Sequence, residues 1–183
     1  MPESARKTQT LRDGRISIPG AWYFLTACTH QRQPLFSNSA MRILTNRHIR
    51  EAHLAGDCFG FASCIMPDHW HLLIHLGQRL SLSRLMAKLK ANVTRSIRSS
   101  GPVWQDNFFE HRIREIESLE AFAFYAFLNP YVSELISVQE RWDGWDSANL
   151  PRFRFLDAMK ADGLPEPGWI ARAREMTPPG ECD

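Results

Sequence analysis

His69 and His71 stand two residues apart in the run Met66–Leu76, MPDHWHLLIHL, which otherwise reads as a buried strand. On a strand, alternate residues share a face, so the two imidazoles project together and Trp70 points the other way. Two neutral imidazoles at that spacing supply half of a divalent-metal site, since imidazole suits the middle first-row ions. The same pattern also fits two hydrogen-bonded histidines on a half-exposed sheet, and the pair alone does not separate these accounts. His75 shares the face, but at a strand rise of roughly 3.3 Å per residue it lies about 13 Å from His71, too far for one ion. A structural or nucleic-acid-facing place is expected for it.

A second constellation follows in FAFYAFLNPYVSEL, where Tyr125 and Asn129 are four apart and so lie on one helical face. Tyr125 interrupts a nearly continuous apolar helix, as a buried tyrosine with a satisfied hydroxyl would. Asn129 precedes Pro130, and an Asn-Pro pair can also begin a new helix as N-cap and first helical residue.

Charge is polarised along the chain. Residues 1–114 carry 16 Lys and Arg against 7 Asp and Glu, and residues 115–183 carry 6 against 13. A basic body of this kind suits a polyanionic partner. Its densest part runs from Arg79 to Arg114, with Arg84, Lys88, Lys90, Arg95, Arg98, Arg112 and Arg114 against Asp106 and Glu110. Trp104, Phe108 and Phe109 beside these cations could stack on unpaired bases, with at least one phenylalanine given to the core.

These residues need elements to hold them. Ala21–Thr29 reads as a strand, 40–54 as a helix, and Cys58–Met66 with His69–Leu76 as a hairpin turned at Pro67-Asp68. Leu82, Leu85, Met86, Leu89, Val93 and Ile97 fall at helical spacing, with Arg84, Lys88 and Arg95 on another face. NFFEHRIREI (107–116) reads as a strand, and Ser118 followed by Glu120 as the start of a helix. The order is β-α-β-β-α-β-α. It predicts an α+β fold, a ferredoxin-like or RRM-like βαββαβ antiparallel sheet with helices on one face and the other face open. The C-terminal tyrosine-bearing helix and an extension would follow it. Residues 1–20 read as a flexible arm, 21–149 as the functional domain and 150–183 as an extension only partly packed.

Composition is that of a globular chain, 44% hydrophobic and 23% charged. No apolar run approaches the roughly 20 residues that cross a bilayer, and the polar start lacks a signal peptide's apolar segment. A cytoplasmic protein without membrane association is expected. Cys28, Cys58, Cys64 and Cys182 show no CxxC or zinc-finger spacing, so reduced, mostly buried thiols are expected.

Taken together, MPDHWHLLIHL, VWQDNFFEHRIREIESL and YAFLNPYVSELI resemble the single-tyrosine HUH transposases (transposase IS200-like). Within that family they look most like the transposases associated with repetitive extragenic palindromes (REP). YFLTACTHQRQPLF, LSRLMAKLKANVTRSI and WDGWDS fit the same pattern, so the likeness covers roughly residues 20–150. The His-apolar-His-apolar-His motif of histidine-triad nucleotide hydrolases fails here, because Leu73 occupies its third position.

The resemblance implies that His69 and His71 are paired ligands of Mg²⁺ or Mn²⁺, with Asn129 as a third ligand and Tyr125 as the nucleophile. It implies single-stranded DNA carrying a REP-like hairpin as partner, nicked and rejoined through a 5′-phosphotyrosine, and a nucleoid-associated place in the cell. PRFRF (151–155) would help hold the hairpin. The REP-associated type implies a monomer, with a homodimer left open. Tyr131 and Ser133-Glu134 depart from relatives, a difference expected to touch helix packing rather than chemistry. The sequence places no general base beside Tyr125, although Asp68 and Glu110 lie near in motif order. A non-catalytic hairpin DNA- or RNA-binding module on the same fold is the alternative.

Overall fold

The computed structural model describes residues 17–97, 101–159 and 162–175. Strand β1 (Trp22–Cys28) leads through a short 3-10 turn, His30–Arg32, to helix α1 (Ser39–Leu54). The hairpin β2 (Cys58–Ile65) and β3 (His69–Leu76) follows, then α2 (Leu82–Ile97), β4 (Phe109–Arg112) and α3 (Leu119–Val132). Strand β5 (Trp145–Ala148) and the short helices α4 (Arg154–Ala158) and α5 (Pro167–Arg174) complete the chain. The sheet order is β4-β1-β3-β2-β5, antiparallel throughout. The βαββαβ core is the one expected, with β5 added outside β2.

Strand alternation divides the side chains between two cores. Tyr23, Leu25 and Ala27 of β1 and Trp70, Leu72 and Ile74 of β3 pack against Ile49 of α1 and Leu82, Leu85, Met86 and Leu89 of α2. The opposite face is not open, contrary to expectation. Phe24, Ala62, Cys64 and Leu73 meet Ala123, Phe124, Phe127 and Tyr131 of α3, and Phe153, Phe155 and Ala173 of the extension. The near-continuous apolar run of α3 explains this: a helix apolar all round must be covered on both sides. The sheet covers one side and α4 and α5 the other.

Helix α3 starts where Ser118 accepts a hydrogen bond from the Ala121 N–H, 3.3 Å away. Asn129-Pro130 does not begin a new helix. The helix passes through Pro130 and stops two residues later. Pro130 and Tyr131 are buried, and that packing outweighs the one backbone hydrogen bond that proline removes. Glu134 then takes a positive φ of 56°. The Leu135 N–H reaches Pro130 O and the Glu134 N–H reaches Tyr131 O, the paired bonds of a Schellman stop.

Two other differences stand out. Strand β4 is shorter than the predicted 107–116, because the Arg114 N–H turns to bond Glu117 Oε2. Four-residue β5 has no alternating apolar pattern and forms only by pairing with the β2 edge. Cys58 and Cys64 are buried free thiols, as expected, Cys28 is buried, and Cys182 lies outside the described residues. Among the described residues no helix is long and apolar enough to cross a membrane.

Candidate active site

The register of β1 and β3 sets Thr26 opposite His71 and Cys28 opposite His69. Both imidazoles lie on the face of Phe24 and Leu73, while Trp70 is buried behind the sheet. The two Nε2 atoms face one another at 3.1 Å. Each ring is held from its far side. His69 Nδ1 lies 2.6 Å from Asp68 Oδ1, and His71 Nδ1 lies 3.1 Å from Thr26 Oγ1. Asp68 accepts from His69 Nδ1–H, which turns the His69 Nε2 lone pair into the site; the Thr26 hydroxyl holds His71 Nδ1 as donor or acceptor.

Two lone pairs at that distance repel unless a positive charge lies between them, a proton or a cation. His71 is 1% exposed. Burial, reinforced by the charges of His69 and Arg32 and opposed by Asp68, holds its pKa well below the ordinary histidine value. It is therefore a neutral donor at pH 7. Asp68 is held below the ordinary carboxylate range chiefly by its hydrogen bond with His69; burial opposes this, and the charges of His69 and Arg32 add to it. Arg32 Nη1 approaches Asp68 Oδ2 at 3.5 Å.

Helix α3 brings the remaining groups. Asn129 Nδ2 lies 3.3 Å from His71 Nε2, and turning the amide over would present Oδ1 at the same place. The Tyr125 ring meets His71 edge-on, with centroids 5.5 Å apart, and packs at 6.2 Å against Phe24. Phe24 in turn stacks on His71 at 5.5 Å. Among the described residues no three His, Cys, Asp or Glu side chains cluster as metal ligands. A metal here would draw its third protein donor from the Asn129 amide. Tyr131, the other tyrosine of α3, is 4% exposed; it donates to Glu140 O and accepts from the Trp142 N–H.

The residues expected to bind nucleic acid are not gathered at the histidines. Arg84, Lys88, Lys90 and Arg95 lie on α2, behind the sheet. Lys88 pairs with Asp57, and Lys90 bonds the carbonyls of Gln105 and Asn107. Arg84 and Arg95 are exposed on that helix, and Arg112 and Arg114 are exposed at and just beyond β4. Arg98 lies outside the described residues. Trp104 packs 4.5 Å from Trp70 and 5.7 Å from Phe36, its indole N–H directed at Lys90 O and Thr94 Oγ1. It belongs to the helix-side core rather than to the histidine face. His75 stacks on Trp22 at 4.7 Å, near Phe59. Thr26, Arg32 and Asp68 are the site groups that sequence reading did not assign; the β1–β3 register is the signal that exposes Thr26.

Known proteins resemble the chain in sequence and in fold. A family model described as transposase IS200-like matches residues 17–117. That span holds His69 and His71 and ends before Tyr125 and Asn129. A putative REP-associated tyrosine transposase of Haemophilus influenzae is 31% identical over a 120-residue alignment, and the match covers 57% of this chain. The match spans 63% of that relative's length. A solved structure of a REP-associated tyrosine transposase bound to a REP hairpin superposes with a TM-score of 0.56 at 21% identity. It covers 67% of this chain and 73% of the other. A putative transposase of Deinococcus radiodurans, 17% identical, reaches a TM-score of only 0.43 over 66% of this chain and 95% of the other.

Proposed function

The chain belongs to the IS200-like transposase family, and from that footing we propose that it is a metal-dependent enzyme that nicks and rejoins single-stranded, hairpin-bearing DNA. One observation carries the reading: two imidazole Nε2 atoms 3.1 Å apart, with the Asn129 amide and the Tyr125 ring brought onto His71 by one helix. His69 and His71 would hold Mg²⁺ or Mn²⁺ through Nε2, and Asn129 would add its carbonyl oxygen. The ion would act as a Lewis acid on a nonbridging phosphate oxygen.

The protein's own groups do the rest. Asp68 fixes the tautomer of His69 and Thr26 holds the angle of the His71 ring, so the donors are aimed before substrate arrives. Tyr125 supplies the nucleophile, a phenol, which ionises more readily than an aliphatic hydroxyl. Its oxygen forms a bond to phosphorus as the bond to the 3′-oxygen breaks. The phenol gives up its proton and the departing 3′-oxygen takes one up. The products are a 5′-phosphotyrosine and a free 3′-hydroxyl. The ester exchange conserves the phosphodiester, so rejoining to another 3′-hydroxyl needs no nucleotide cofactor.

Hairpin DNA is the proposed partner because the solved neighbour was bound to a REP hairpin. Arg84, Arg95, Arg112 and Arg114 offer an exposed basic path on α2 and around the β4 edge, where phosphate contacts would make binding salt-sensitive. The assay is cleavage of an end-labelled hairpin oligonucleotide with and without Mn²⁺. The wild-type protein should cut only with the ion, and His71→Ala should not cut. Equal cleavage in EDTA would overturn the metal-dependent reading.

A further inference from the structure

We infer that Arg32 is a further catalytic residue, a cationic contact to the nonbridging oxygens of the scissile phosphate, an assignment that rests on the DNA-processing reading above. The backbone brings it there. At the end of β1 the Thr29 N–H bonds Asp68 O at 2.9 Å, which ties the strand to the turn in front of the histidines. The chain then doubles back, with the Arg32 N–H on Thr29 O at 3.1 Å and the Gln33 N–H on His30 O at 3.2 Å. Gln31 and Arg32 both take positive φ, 52° and 53°, a conformation that residues other than glycine rarely adopt. Strain of this kind gathers where a side chain must be presented to a functional site.

The guanidinium stands one carboxylate away from a proposed metal ligand. Arg32 Nη1 lies 3.5 Å from Asp68 Oδ2, and Asp68 Oδ1 lies 2.6 Å from His69 Nδ1. The first contact is long for an arginine–carboxylate bond, which closes to about 2.7–2.9 Å, and 37% of the Arg32 side chain is exposed. Arg32 is thus held beside the site and stays open to solvent. Its charge bears on His71 more strongly than that of Asp68 does, as expected of a cation turned toward the ring pair. Arg42 shows the contrast: its side chain is 10% exposed and is spent on Asp143, Phe36 O and Ser37 O.

The reaction creates the need for such a group. As the Tyr125 oxygen bonds to phosphorus and the bond to the 3′-oxygen breaks, negative charge gathers on the nonbridging oxygens. A guanidinium presents paired N–H donors to two such oxygens and gives up no proton, so it stabilises that charge without entering the proton balance. Asp68 then has two tasks. It orients His69, and it keeps the guanidinium beside the place the phosphate takes.

The test is single-turnover cleavage of an end-labelled hairpin oligonucleotide at saturating Mn²⁺. Arg32→Ala should cut about 100-fold more slowly than the wild-type protein, with Mn²⁺ affinity unchanged in calorimetric titration. Millimolar guanidinium should restore part of the rate to Arg32→Ala, which a folding defect would not allow. A methylphosphonate at the scissile linkage replaces one nonbridging oxygen by a neutral methyl group. With one of its two diastereomers the wild-type and Arg32→Ala rates should converge, because the oxygen held by the guanidinium is gone. A loss that stays undiminished on both diastereomers would place Arg32 off the scissile phosphate and overturn the assignment. So would a loss that excess Mn²⁺ restores, since Arg32 would then act only through Asp68. Arg32→Ala cutting at the wild-type rate would remove the assignment and leave the enzyme reading standing. If the wild-type protein does not cut hairpin DNA, both readings fall.

Discussion

At the scale of residues, the site is a pair of imidazoles aimed from behind. The His-x-His spacing and the strand period together made the shared face legible in the sequence. What they could not show was the aim, because that depends on Thr26, one strand away, and on Asp68, whose carboxylate turns back onto its neighbour's Nδ1. Adjacent-residue contacts of that kind look like an ordinary turn when read linearly. The tyrosine was likewise ambiguous until the fold separated Tyr125, against His71, from Tyr131, buried with its hydroxyl occupied. A second-layer carboxylate of this type is worth about 10–100-fold in metal affinity. Asp68→Asn should therefore weaken Mn²⁺ binding by that factor in calorimetric titration, with the fold retained. Unchanged affinity would show that the Asp68 bond does not orient the ligand.

At the scale of elements, the sheet is built by patterns the sequence carries openly, and α3 is placed by ones it does not. Ser118 as cap and the apolar spacing of α2 were readable. The passage of α3 through Pro130 was not, because burial of Pro130 and Tyr131 decides it, and burial is a tertiary fact. The segment after α3 is tied down by Arg42 of α1, which pairs with Asp143, bonds the carbonyls of Phe36 and Ser37, and lies over the Trp142 ring at 4.3 Å. Gly144 completes this crossing: a Cβ there would collide with Ile65 O and the Trp142 indole nitrogen. Burial pushes the Asp143 carboxyl up, but hydrogen bonds from Arg42 and Ser39 and the Arg42 charge outweigh it, and its pKa stays below the ordinary value. A carboxylate depressed in the folded state stabilises above its unfolded pKa, and that share is lost as pH falls through the folded one. The wild-type protein should thus lose stability below about pH 4 more steeply than Asp143→Asn. Parallel acid-unfolding curves for the two proteins would contradict this role.

At the scale of the molecule, one sheet serves two cores, and the second carries the proposed site. The expectation of an open face followed from the βαββαβ count, which ends before α3 and the extension. The basic helix α2 lies on the far side of the sheet from the histidines, so DNA that reached both would pass an edge; the β4 edge carries exposed Arg112, whereas the β5 edge carries Asp146 paired with Arg50. The extension acts as a cover for α3: Phe153 and Phe155 are each 4% exposed. Burial of a phenylalanine is worth about 1.5–3 kcal/mol. Ending the chain after Asn149 should therefore lower the urea midpoint markedly, and an unchanged midpoint would mean that the cover contributes nothing. The central claim concerns Tyr125, and the direct measurement is mass spectrometry of the protein after reaction with a hairpin oligonucleotide and Mn²⁺. The account predicts a covalent 5′-phosphonucleotide adduct on the peptide bearing Tyr125, absent from Tyr125→Phe. An adduct on another residue, or equal cleavage by Tyr125→Phe, would contradict it.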